Sequence, residues 1–151
     1  MITIVAIGKK HEDWVEPGIE LYEKRLKQPY DCRWVLLPHS SLEGVRAREE
    51  ESERILSRIK PSDYVVLLDE AGQSFDSPGL ARFCEESFSS SKQLVFVIGG
   101  AYGVNAALQE RANITWSLSK LVFPHQLVRL LLIEQLYRVQ EIARGGKYHH
   151  Q

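Results

Sequence analysis

Only two cysteines and one methionine occur in this 151-residue chain. Cys32 and Cys84 lie far apart, with no CxxC and no histidine pair beside them. That scarcity rules out a disulfide framework as the source of stability and argues against a resident metal, so no metal ligands are expected. Long apolar runs are missing as well. No stretch approaches the roughly 18 residues of a membrane span, so no membrane partner is expected. The opening Met-Ile-Thr-Ile-Val-Ala-Ile-Gly-Lys-Lys has no basic n-region, so a signal peptide is not expected and a reducing, cytoplasmic setting is. Neither a phosphate-loop lysine motif nor GxSxG nor HExxH is present. Charge of one sign is scarce too: the net value of −1 gives no bulk attraction to nucleic acid.

What is present is an ordinary globular composition, 44% hydrophobic and 26% charged, long enough for one domain over residues 1–151 to bury its own core. The charge is unevenly spread. Residues 1–91 carry 12 Lys+Arg against 17 Asp+Glu, whereas residues 92–151 carry 7 against 3. The basic half therefore suits an anionic partner.

Apolar runs and helical periods alternate along the chain. Ile2–Ile7, Arg33–Leu37, Tyr64–Asp69, Leu94–Ile98 and Thr115–Ser119 read as strands. Helices are expected over Pro17–Gln28 and Leu42–Lys60, from Ser77 as cap with Pro78 at N1, after Gly103, and over His125–Arg144. The charged middle of the second helix, Arg46 to Arg54, reads as a water-facing surface. No internal repeat or low-complexity tract is present. Strands apolar throughout, alternating with helices, give an α/β fold with a mostly parallel sheet flanked by helices. Ligands in such sheets sit beyond the carboxyl ends of the strands. Here that places Leu68–Gly72, Gly99–Gly103 and Ser119–Pro124 around one pocket. The last helix is apolar around more than one face, so either the fold buries it on two sides or one side meets another chain.

The motifs Phe96-Val-Ile-Gly-Gly100, Trp116-Ser-Leu-Ser119, Phe123-Pro-His-Gln-Leu-Val-Arg129, Glu134-Gln-Leu-Tyr-Arg138 and Tyr148–His149 stand in a fixed order. With Asp13–Trp14, Leu68–Asp69 and Phe75-Asp-Ser-Pro78, they make the whole chain resemble the ribosomal RNA large subunit methyltransferase H family. The resemblance implies a SPOUT fold with a C-terminal trefoil knot and a cytoplasmic homodimer. It implies S-adenosyl-L-methionine as cofactor, transferring methyl to N3 of a pseudouridine in 23S ribosomal RNA; recognition within the ribosome is the expectation, with free RNA left open as the alternative.

Leu68, Gly100 and the run Ser119, Lys120, Leu121, Val122, Phe123, Pro124 match the family's cofactor site. Backbone groups there can bond an adenine while Leu68, Leu121 and Val122 pack its faces. His125, Glu134, Tyr148 and His149 are the candidates to take the N3 proton or steady the deprotonated ring. Arg129 and Lys147 are candidates for phosphate contacts. His150, standing where the family usually has Arg or Lys, joins them as a substrate-binding candidate. Two other readings stay open on the residues. His150 admits an RNA-binding module of this fold that has lost transfer, and Gly99-Gly-x-x-Gly103 admits a Rossmann-like nucleotide binder.

Overall fold

A computed structural model of the chain describes residues 1–150. Its elements are β1 (Ile2–Ile7), α1 (Glu16–Glu23), β2 (Cys32–Leu37), α2 (Gly44–Leu56), β3 (Asp63–Ser74), α3 (Ser77–Ser89), β4 (Gln93–Ile98), α4 (Ala106–Arg111), β5 (Ile114–Ser117) and α5 (His125–Ala143). The strands form one sheet in the order β2-β1-β4-β3-β5, and every neighbouring pair is parallel. The strands need no polar face because helices cover both sides. Ile2, Ile4 and Ala6 of β1 pack with α1, α3 and α5, while Val5 and Ile7 meet Ile55 of α2 and Leu108 of α4.

Differences from the sequence expectation at β3, α1 and α3 each have a physical reason. β3 does not stop at Asp69. It leaves the sheet after Leu68 and rejoins at Gln73, with both residues opposite Trp116 of β5. Gly72 permits this return, because a Cβ there would lie 2.6 Å from the Thr115 carbonyl carbon and oxygen. α1 ends at Glu23 rather than Gln28. The buried Gln140 accepts from Lys27 N at 2.6 Å and donates to the Arg25 carbonyl at 3.0 Å, holding that segment against α5. The cap of α3 is Asp76, whose carboxylate accepts from Gly79 N at 2.7 Å, one residue before the expected Ser77.

α2 is not simply a water-facing charge run. Ala47, Glu51, Ser52 and Ile55 are buried, and only the rest of the helix meets solvent. α5 is buried by its own chain on two sides, since it packs against both α1 and α3. Leu132, Ile133, Leu136 and Val139 are fully enclosed there.

Arg129, expected to hold phosphate, is also fully enclosed. Its Nη2 donates to the carbonyls of Ile7 and Gly8 at 2.9 and 3.0 Å, and Nη1 donates to the Lys10 carbonyl at 3.0 Å. The first turn of α5 is thereby tied to the end of β1. A guanidinium already shared among these carbonyls has no donor facing solvent phosphate, so the substrate role assigned from sequence is withdrawn. Hydrogen bonds to a buried charged group contribute about 1.5–3 kcal/mol each and are not additive. Arg129→Ala is therefore expected to lower unfolding stability by roughly 3–4 kcal/mol in urea titration.

Candidate functional site

The carboxyl ends of β3, β4 and β5 enclose a cavity of about 350 Å³. All three turns expected to converge do so: Leu68, Asp69 and Glu70 come from β3, Gly99, Gly100, Ala101, Gly103 and Val104 from the turn after β4, and Leu118, Ser119 and Leu121 to Phe123 from the loop after β5. Gly99, Gly100, Ala101 and Gly103 make the β4 turn a wall of small residues, while Leu68, Ile98, Leu118 and Val128 are among the apolar residues of the lining. The β5 loop is braced by Ser119, whose carbonyl accepts from Ser117 Oγ at 2.8 Å and whose Oγ accepts from Leu121 N at 3.0 Å. Beyond that brace Leu121 and Val122 stand mostly exposed at the mouth, an apolar pair in water.

Of the residues expected at a cofactor, Leu68, Gly100, Ser119, Leu121, Val122 and Phe123 line the cavity. Lys120 and Pro124 do not: both are exposed, and Pro124 is the N-cap of α5. Gly100 has a reason beyond ligand approach. A Cβ on it would collide with Glu51 Oε1 and touch Ile7 Cγ2 at 3.4 Å. Gly103 has φ +79 with open space around it and serves the turn itself, with its N–H donating to the Gly100 carbonyl at 3.0 Å.

The four candidate proton acceptors divide into two groups. His125, the first residue of α5, lines the cavity and is half-buried. Its pKa is held below the ordinary imidazole range by burial, then by Arg129 and His39, with Glu51 and Glu70 opposing. It is a neutral base near pH 7. Glu134, Tyr148 and His149 instead form a cluster around Arg138. Glu134 Oε1 accepts from Arg138 Nη2 at 2.6 Å, from Arg138 Nε at 3.0 Å and from Tyr148 OH at 3.2 Å. Arg138 Nη1 lies 3.1 Å from His149 Nδ1. Burial, the bond to Tyr22 and the Glu134 charge push the Tyr148 hydroxyl up, so it stays protonated and donates. The tail is thus folded back on α5. Lys147 and His150 are exposed beside it.

A second, shallower hollow, lined by His149, Gln135, Leu131 and Phe75, shares the Leu118 and Phe123 wall with the cavity. The tail cluster and the cavity are therefore neighbours across one loop, not one site within this chain.

Asp69 and Glu70, from the acidic half of the sequence, also face the cavity, although most of its lining comes from the basic half. This lining fits a cationic ligand and opposes a pyrophosphate. Asn105 caps α4 and accepts from Leu108 N at 2.9 Å, so the helix start after the glycine turn is already partly occupied. Both features disfavour the dinucleotide reading of Gly99-Gly-x-x-Gly103. The buried Glu51 was missed from sequence. Its signal was the four-residue spacing Ala47, Glu51, Ile55, which places it on the inward stripe of α2.

A family profile described as "Predicted SPOUT methyltransferase" matches residues 1–149. Proteins named "Ribosomal RNA large subunit methyltransferase H" match almost the whole chain. Those from Acetivibrio thermocellus and Geotalea daltonii are each 41% identical, covering 98% and 99% of both chains respectively. The one from Desulfitobacterium hafniense is 36% identical over 98% of both.

Two outcomes test this geometry. Gly100→Ala is expected to cost roughly 1–3 kcal/mol of stability, and less in a Glu51→Ala background, measured as a double-mutant cycle in urea. His11, like His125, has its pKa lowered chiefly by burial. For groups depressed in the folded state, their contribution is complete above the ordinary imidazole range and is lost as pH falls toward the depressed values. The urea midpoint should therefore drop from about pH 7.5 to about pH 5.5, and His125→Asn should remove part of that slope.

Proposed function

The chain belongs to the SPOUT methyltransferase family, and we propose that it transfers the methyl group of S-adenosylmethionine to N3 of a pseudouridine in 23S ribosomal RNA. The observation that carries the donor site is the cavity between β3, β4 and β5, with a glycine turn, apolar side chains and two carboxylates in its lining. S-adenosylmethionine, when bound, supplies a methyl carbon on a positively charged sulfur, whose bonding electron pair stays with the sulfur as the carbon–nitrogen bond forms. Leu68, Gly100 and the Ser119–Phe123 segment would hold it, with Leu121 and Val122 covering an apolar face. Lys120 and Pro124 would act only by shaping the loop.

The protein's share of the chemistry is mainly alignment, which supplies up to roughly 7–11 kcal/mol in well-oriented reactions. The remaining requirement is somewhere for the N3 proton to go. His125 is the cavity-lining imidazole kept neutral near pH 7, and we assign it the role of acceptor. Glu134, Tyr148 and His149 would hold the acceptor base. Lys147 would hold phosphate, and His150 would join it when protonated.

Within one chain the tail lies across the Leu118–Phe123 wall from the cavity. This supports a homodimer in which one subunit's tail completes the partner's site. The family relation also implies a trefoil knot in the segment from β4 to α5, action on the assembled ribosome, and a cytoplasmic location. Retained cavity lining favours a working enzyme over an RNA-binding module without transfer.

Ribosomes lacking the mark are expected to accept labelled methyl from S-adenosylmethionine in the presence of this protein. Truncation after Arg144 should leave donor affinity in calorimetry unchanged while transfer falls by about a hundredfold or more. The rate should decline as pH drops through the depressed His125 value, and His125→Asn should abolish that acid limb. Sedimentation at micromolar concentration should show a dimer; a monomer only would remove the shared-site arrangement.

A further inference from the structure

Glu51 is the least accounted-for charge in the fold. Its side chain is 5% exposed, and its Oε1 has no hydrogen-bond partner among the described residues. Its Oε2 accepts from Ser40 N at 2.9 Å and lies 3.8 Å from His39 Nδ1, an imidazole that is itself 66% exposed. Among the described residues no lysine or arginine pairs with it. A carboxylate so enclosed, with one N–H and one distant imidazole, carries a desolvation cost that an apolar side chain would avoid. The neighbouring buried positions of α2, Ala47 and Ile55, are filled in that cheaper way.

Its place explains what the cost obtains. The unpartnered oxygen abuts Gly100, so closely that no Cβ fits there, and Gly100 is part of the cavity wall. Two nearby residues of α2, Glu49 and Ser52, brace the residue that ends the same turn. Ser52 Oγ accepts from Asn105 N at 2.9 Å, and Glu49 accepts from Asn105 Nδ2 at 3.0 Å. α2 thus backs both ends of the glycine turn, at Gly100 and Asn105, and it sets its one enclosed carboxylate against Gly100. Asp69 and Glu70 supply negative charge from the opposite, β3 side of the cavity. His125 is held neutral near pH 7, and Arg129 is taken up by the carbonyls of Ile7, Gly8 and Lys10.

We propose that Glu51 is a positioning residue for the methyl donor: acting through Gly100, it keeps the cavity floor negative so that the site favours a sulfonium over the neutral thioether left after transfer. This rests on the donor reading given above. Donor and product differ at the sulfur by one positive charge and one methyl group. A buried negative charge behind a glycine wall therefore separates them where shape alone would not. It gives the spent product a reason to leave and the next donor a reason to enter. Coulomb attraction at the range of a wall one residue thick, in a partly solvated site, corresponds to about a three- to tenfold preference.

The test is calorimetry of S-adenosylmethionine and S-adenosylhomocysteine on the full chain and on Glu51→Gln, which keeps the shape and an oxygen for Ser40 N while removing the charge. The expected result is an affinity for the donor lowered about three- to tenfold, with product affinity within about twofold of wild type. If both ligands weaken equally, or neither changes, Glu51 only shapes the turn and the proposal is overturned. Should Glu51→Gln not fold, Glu51→Met, of similar volume and without polar atoms, is measured in the same way. If neither variant folds, the residue serves the fold and the proposal also falls. Wild-type protein that binds neither compound would instead reject the donor reading itself, a result visible before any variant is made.

Discussion

The site depends on one buried guanidinium. Arg129 enters from the first turn of α5 and is shared among the carbonyls that close β1. Because α5 begins directly after the loop that follows β5, fixing its first turn also fixes where that loop returns. The same end of α5 is held by Gln126, which accepts from Glu12 N at 2.9 Å, while the Leu118–Phe123 segment carries its own Ser119 brace and packs Leu118 on the core. His125 is set at the cavity by the same anchorage, four residues earlier on the helix. Geometry that looks local to the cavity is therefore held from the opposite end of the chain.

The gross fold was legible in the residues. Apolar strands such as Val95–Val97 announced a sheet covered on both faces, and the glycines after Ile98 announced a turn that approaches something closely. The three turns that converge were named correctly because an open parallel sheet leaves few other places for a ligand. What stayed hidden involved partners distant in sequence. Gln140 stops α1 early by gripping residues 25 and 27, more than a hundred positions away. Arg129 reads as a surface cation until the carbonyls it meets, at residues 7, 8 and 10, are known. Glu51 was obscured differently: four acidic residues within Glu49–Glu53 disguised an inward stripe, although the spacing from Ala47 to Ile55 carried the information.

For the site itself, sequence spacing supplied a pocket but not its sign. Summed over residues 92–151 the charge is positive, yet the carboxylates nearest the cavity come from Asp69 and Glu70 of the other half. Regional net charge describes the field at a distance and says little about a wall a few ångströms away. Likewise the motif Glu134-Gln-Leu-Tyr-Arg138 marked a conspicuous pair without telling that Tyr148 and His149 fold back upon it. The SPOUT relationship and the geometry meet most closely at the loop after β5, where an apolar pair left in water has an evident use once a ligand covers it.

The place of β1 in the sheet has a consequence for how the protein is made. Its neighbours are β2, about 30 residues downstream, and β4, about 90 residues downstream. During synthesis at about 5–20 residues per second, the inner side of β1 would wait roughly 5–20 s for its second partner. Its six buried residues would spend that interval as an open hydrophobic edge, the form most prone to pairing with the wrong chain. Survival of the nascent polypeptide thus rests on how well the first hairpin-sized fragment, β1 with α1 and β2, shields that edge until Gln93–Ile98 emerges.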